Sequence, residues 1–109
     1  MIILGMEKYL FMDMAGTSLQ GRVIATYDEL VELLGEPSVF GGDKTNVEWD
    51  LEFRVATDDG EDFDYVRAAI YDWKMNGVPQ GEYSWHVGGM DYRSVMCVSQ
   101  MLEGMRENV

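Results

Sequence analysis

The residues best placed to do chemistry in this chain are carboxylates written into what reads as a strand. Residues 47–55 run Val-Glu-Trp-Asp-Leu-Glu-Phe-Arg-Val. Apolar side chains alternate there with Glu48, Asp50, Glu52 and Arg54, and strand side chains point to opposite faces with period two. One face therefore enters a core, and the other presents carboxylates about 7 Å apart. Phosphates follow one another about every 3.4 Å along a duplex strand, so such a row matches roughly every second phosphate. That spacing suits docking on a basic partner. Just downstream, Asp58, Asp59, Glu61, Asp62 and Asp64 place five carboxylates in seven residues around Gly60. An EF-hand loop requires Asp-x-Asp/Asn-x-Asp/Asn-Gly and a glutamate six residues past the glycine. Thr57-Asp58-Asp59 before Gly60 and Val66 at the sixth position break that pattern, so no calcium site is expected.

Other chemistry-bearing residues are sparse. Tyr71 and Trp73 fall on the carboxylate side if residues 65–74 form the next strand, with Val66, Ala68 and Ile70 toward the core. Aromatic side chains flanked by charge are suited to anchoring an interface. His86 is the single histidine; with no second histidine and one distant cysteine, it gives no metal-ligand set. A pocket around Tyr71, Asp72 and His86 is the enzymatic or ligand-binding alternative. Cys97, beside Val98, reads as a buried thiol. Ser18 lacks a Gly-x-Ser-x-Gly elbow, and Gly16 to Gly21 is followed by Arg22 rather than by the Lys-Ser/Thr of a phosphate-binding loop. These absences point to a protein without catalysis, cofactor or metal.

The elements that must hold these residues are legible in part. Thr26 with Glu29 forms a capping box, and Leu30, Leu33 and Leu34 form a stripe. Gly35 and Pro37 end the helix, which spans about 27–34. Arg22 to Ala25 reads as a short strand leading into it, and Gly16 to Gly21 as a loop. Strands follow at 46–55, about 65–74 and about 82–87, with turns at Asp59-Gly60 and around Asn76 to Gly81. Residues 6–14 fit either an edge strand or a helical turn. A last helix begins near Asp91, a suitable N-cap, with Val95, Val98, Leu102 and Met105 at helical spacing. The expected fold is α+β: an antiparallel sheet of about four strands with two helices on one face, in a single domain covering 1–109.

Composition bounds the partners. The chain of 109 residues carries 20 acidic and 8 basic residues, a formal net charge of −12. Aromatic content of 12% separates it from disordered acidic chains. Nucleic acid and anionic membranes repel such a protein, and basic surfaces attract it. One cysteine suits a reducing compartment, no apolar run approaches the roughly 20 residues of a membrane span, and no signal peptide is read at the start. A cytoplasmic monomer or homodimer is expected.

Four segments carry a family likeness: Gly16-Thr17-Ser18-Leu19-Gln20-Gly21, Glu48-Trp49-x-Leu51-Glu52-Phe53, Ile70-Tyr71-Asp72-Trp73-Lys74 and Trp85-His86-Val87-Gly88-Gly89. Together they resemble a group of small proteins carried by tailed bacteriophages and prophages. The resemblance covers roughly residues 16–89 and brings no catalytic motif. It implies an origin in a mobile element, and an inhibitor of a host nucleic-acid-targeting defence complex of the anti-CRISPR or anti-restriction type. The partner would be a basic host protein or ribonucleoprotein. Glu48, Asp50, Glu52, Asp58, Asp59, Glu61, Asp62 and Asp64 would dock on it, with Tyr71 and Trp73 as anchors. A structural homo-oligomeric phage component is the further alternative.

Overall fold

The alternating segment forms the longest strand of the sheet, and the rest of the fold is arranged about it. The computed structural model describes residues 1–107. In chain order they form β1 (Ile3–Tyr9), β2 (Ser18–Thr26), α1 (Tyr27–Leu34), β3 (Val39–Phe40), β4 (Val47–Ala56), β5 (Phe63–Tyr71), β6 (Glu82–Gly89) and α2 (Arg93–Glu107). All pairings are antiparallel, in the order β1-β4-β5-β6-β2, and β3 pairs with the start of β4 on the edge that β1 occupies further along.

The class is α+β, as expected, but the sheet has six strands rather than about four. The added strands are β1 and β3. β1 lacks clean alternation because a register irregularity between Ile3 and Gly5 interrupts its pairing, and β3 is two residues long. Two boundaries also move. Ser18 to Gly21 belongs to β2, with a bulge between Leu19 and Gly21, and is not a loop. β5 ends at Tyr71, so Trp73 lies in the connection beyond it rather than on the strand.

The odd-numbered residues of β4 build the core. Trp49, Leu51, Phe53 and Val55 join Val66, Ala68, Ile70, Trp85 and Val87 from the neighbouring strands. Leu30 and Leu34 of α1 and Val95, Val98 and Leu102 of α2 close that side. Trp49 and Trp85 meet edge-to-face at 5.6 Å. Each buried indole N–H keeps a partner: Trp49 Nε1 donates to the Gly35 carbonyl (3.0 Å) and Trp85 Nε1 to the Ala25 carbonyl (2.9 Å). The first of these ties the end of α1 to the middle of the sheet. Truncating either ring to alanine costs about 3–5 kcal/mol.

β1 and β2 lie on opposite edges, so residues 10–17 must cross the sheet. Five strands span roughly 19 Å, and eight extended residues reach about 27 Å, enough for a direct crossing. The crossing runs over the face opposite the helices. Arg67, which points there, donates from Nη1 to the Asp13 carbonyl at 2.9 Å. Tyr9 pairs with Asp50, Ala69 with Gly88, and Gly88 with Leu19. The strap therefore passes above Asp50, Ala69 and Gly88, all buried on this face, and its own Met12 is buried too. The small residues Ala69 and Gly88 leave it room.

Candidate functional site

Glu48, Asp50 and Glu52 do face away from the helices, but they are not the open row of charges that the alternation suggests. Asp50 is only 3% exposed. Glu48 is half-buried, and burial, then the hydrogen bond with Asp50 and its charge, push its carboxyl up to about 8. Near neutral pH Glu48 therefore keeps its proton. A protonated Glu48 can donate to Asp50, whose buried Oδ1 has no hydrogen-bond partner among the described residues. Glu52 pairs with Arg67 across the strands (3.3 Å) and accepts from the Tyr9 hydroxyl (3.2 Å). Local alternation reports direction but not cover, and the cover here comes from the strap, Ser38 beside Asp50, and Arg67 on β5.

Of the acids singled out in the sequence, the exposed ones sit at the β4–β5 hairpin. Asp58, Asp59, Glu61, Asp62 and Asp64 are all solvent-exposed. The turn is closed by Gly60 N–H to the Thr57 carbonyl (2.9 Å) and Thr57 N–H to the Asp62 carbonyl (3.0 Å). Gly60 takes φ 72°, in the left-handed region that glycine adopts without strain. Asp59 Oδ1 accepts from the Thr57 hydroxyl and the Glu61 N–H, which hold it below the usual carboxylate range. Asp64 reaches Arg93 of α2 at 3.3 Å. Beside these acids, Phe63 (41% exposed) and Tyr65 (60%) meet edge-to-face at 5.4 Å. Acids and aromatic rings thus share one end of the sheet.

Tyr71 and Trp73 lie at the other end, about 27 Å away along β5. Tyr71 stacks on His86 at 5.5 Å and 27°, and Trp73 stands 6.1 Å from His86 and 6.3 Å from Tyr71. Lys44 and Lys74 place their ammonium groups 5.7 and 5.9 Å from the Trp73 ring. Arg22 pairs with His86 on the next strand. Burial, then the charge of Arg22, lower the His86 pKa, and His86 Nδ1 has no hydrogen-bond partner. Tyr71 thus lies beside Glu48, its cross-strand partner, as the alternation suggests, but the hairpin acids expected on the same docking surface are at the opposite end of β5. The exposed rings beside the acidic hairpin are Phe63 and Tyr65, which sequence reasoning did not single out because a charged run surrounds them.

Asp72 does not join Tyr71 and His86 in an open pocket. It is fully buried and accepts from Asn46 N–H (2.7 Å), Asn46 Nδ2 (2.6 Å) and Val47 N–H (3.2 Å), fastening the start of β4 to the end of β5. Cys97 is buried, its thiol pushed up to about 11 by that burial, and its S–H contacts Met1 Sδ at 3.4 Å. Among the described residues no group of three His, Cys, Asp or Glu side chains is arranged to hold a metal ion. No helix among them is long and apolar enough to cross a membrane.

The four segments quoted above for their resemblance fall on adjacent strands, β4, β5, β6 and β2. The class defined by fold and surface is an α+β protein with an antiparallel sheet, helices on one face and a strapped polar face on the other. Compared with models of known families, with characterised proteins and with solved structures, the chain matches none.

Proposed function

We propose that this protein works by binding, docking its β4–β5 hairpin on a basic surface of a protein or ribonucleoprotein that handles nucleic acid. The observation that supports this reading is the exposure of Asp58, Asp59, Glu61, Asp62 and Asp64 around the exposed Phe63–Tyr65 pair. Clustered acids steer the encounter with a basic groove, and a rigid aromatic pair supplies apolar area at little entropic cost. The β4 row is a poor carrier by comparison, since Asp50 is buried and Glu52 is paired. The narrower form of the proposal follows the phage resemblance: the partner is a host nucleic-acid-targeting defence complex, and occupying its groove inhibits it.

The test compares capture from host lysate by the native chain and by the D58N/E61Q/D62N variant, with heparin as a competing polyanion. The expected partner is a nucleic-acid-binding protein that heparin displaces and the variant no longer retains. Tyr65→Ala should weaken capture by tenfold or more, about the loss of one aromatic hot spot. A partner held equally by the variant, or unaffected by heparin, overturns the reading.

A further inference from the structure

The opposite end of the sheet has a separate chemistry. Among the described residues, Arg67, Arg93 and Arg106 are ion-paired with carboxylates. Lys8 donates to the Glu36 carbonyl, and Arg54 lies over Phe63. The remaining cations, Arg22, Lys44 and Lys74, all stand around the Tyr71–His86–Trp73 cluster. In a chain of net charge −12 these three cations gather at one end of the sheet, where the neighbouring acids are Asp43 and the buried Asp72, whose oxygens are taken up by Asn46 and Val47.

Its construction is specific. Lys74 N–H donates to the Lys44 carbonyl at 2.8 Å, locking the two connections side by side. Between them runs an open groove of about 410 Å³, lined by residues that include Lys44, Asn46, Lys74 and Asn76, with Asp43 the one carboxylate on its wall. Lys74 has φ 54°, the single positive φ among the described residues that are not glycine. Glycine would take that conformation without strain. What lysine adds is an ammonium group beside Trp73 and the groove. Trp73 is 40% exposed, and its indole N–H, unlike those of Trp49 and Trp85, makes no hydrogen bond among the described residues.

The geometry points to a binding site for a free nucleotide: the base stacks on the exposed indole of Trp73, which His86 and Tyr71 back from behind, and the phosphates lie in the adjoining groove against Lys44 and Lys74. Aromatic stacking accepts any base, and flanking cations select those carrying phosphate. A long polyanion is disfavoured, because its length must pass within the roughly 8 Å screening distance of acids on the rest of a surface with net charge −12. Glu48, the nearest acid on the next strand, is held protonated by its burial and by Asp50, and so adds little opposing charge.

Titration of isotope-labelled protein with ADP, followed through the three indole N–H resonances, tests this. The Trp73 resonance should shift and saturate while those of Trp49 and Trp85 stay in place. Adenosine and pyrophosphate, each carrying half of the chemistry, should bind about tenfold more weakly or worse. The K44A/K74A variant should lose about tenfold in affinity and Trp73→Leu should lose binding, with the buried indole resonances unchanged as the check on folding. The hairpin variant D58N/E61Q/D62N should bind ADP normally, so the outcome is independent of the docking reading. Three results overturn the inference: no shift at millimolar ADP, tighter binding of an oligonucleotide than of ADP, or a Trp73 shift on protein dilution alone. The last would assign the surface to a second copy of the chain.

Discussion

At the scale of single residues, burial and hydrogen bonding decide which acids act as charges. Glu48 titrates near 8 in the fold against an ordinary 4.5. Between those values the folded protein keeps a proton that the unfolded chain has released. Stability from this group is therefore complete below about pH 4.5 and declines as pH rises toward 8. Glu48→Gln removes the penalty and offers an N–H to Asp50 Oδ1. Native and variant proteins should be equally stable near pH 4, and the variant more stable by about 1–2 kcal/mol at pH 8.5 once solvent screening of a half-buried group is allowed for. Urea unfolding at the two pH values checks this; equal stability at both would mean that the carboxyl ionises freely. Asp72 is the opposite case, an acid whose oxygens are fully used. Asp72→Ala leaves the Asn46 and Val47 N–H groups without their acceptor, while Asn46 Nδ2 keeps the Met75 and Gly77 carbonyls, which should cost about 2 kcal/mol in the same measurement.

At the scale of elements, the helices are fixed to the sheet at short range. A Cβ at Gly89 would stand 2.5 Å from Ser94 Cβ in the first turn of α2 and 3.0 Å from the Arg67 carbonyl. Since the second neighbour is backbone, Gly89→Ala should lift α2 from β6 and cost about 2–3 kcal/mol, read as a lowered thermal midpoint with both helices retained by circular dichroism. Such approaches explain what the sequence could and could not disclose. The span of α1 was legible because its limits are local: Thr26 and Glu29 cap reciprocally at 2.9 and 3.0 Å, and Gly35 takes φ 80°. The inward face of β4 was legible for the same reason, since period two is a local property. The strap was not legible. Nothing within residues 10–17 announces that the chain must travel from one sheet edge to the other, because strand order is set by distant pairings. With the strap hidden, Asp50 read as solvent-facing. Lys44 and Lys74 went unnoticed as a pair because thirty residues separate them, and only the Lys74–Lys44 backbone bond brings them together.

At the scale of the whole molecule, the excess negative charge is unevenly placed, and stability should report where it lies. Among the described residues the hairpin acids Asp58, Asp59, Glu61 and Asp62 have no cation paired to them, whereas Asp64 has Arg93. These four charges stand within a few ångströms of one another on a turn, so they repel across distances shorter than the roughly 8 Å screening length at physiological salt. The proton kept by Glu48 and the ion pair of Glu52 remove most of the corresponding repulsion from β4. Exposed acids elsewhere, such as Asp28, Glu32 and Glu36, are spread along the chain, so the densest self-repulsion in the folded state should come from the hairpin, and it should fade as salt rises. Scanning calorimetry of the native chain from 10 to 300 mM salt, values on either side of the roughly 0.15 M physiological level, should show a rising midpoint. D58N/E61Q/D62N should begin higher at low salt, by roughly 2–4 °C, and rise less steeply. Were the two salt slopes parallel, the repulsion would be spread over the whole surface. The hairpin would then be no special concentration of charge, and its claim to be the docking element would weaken with it.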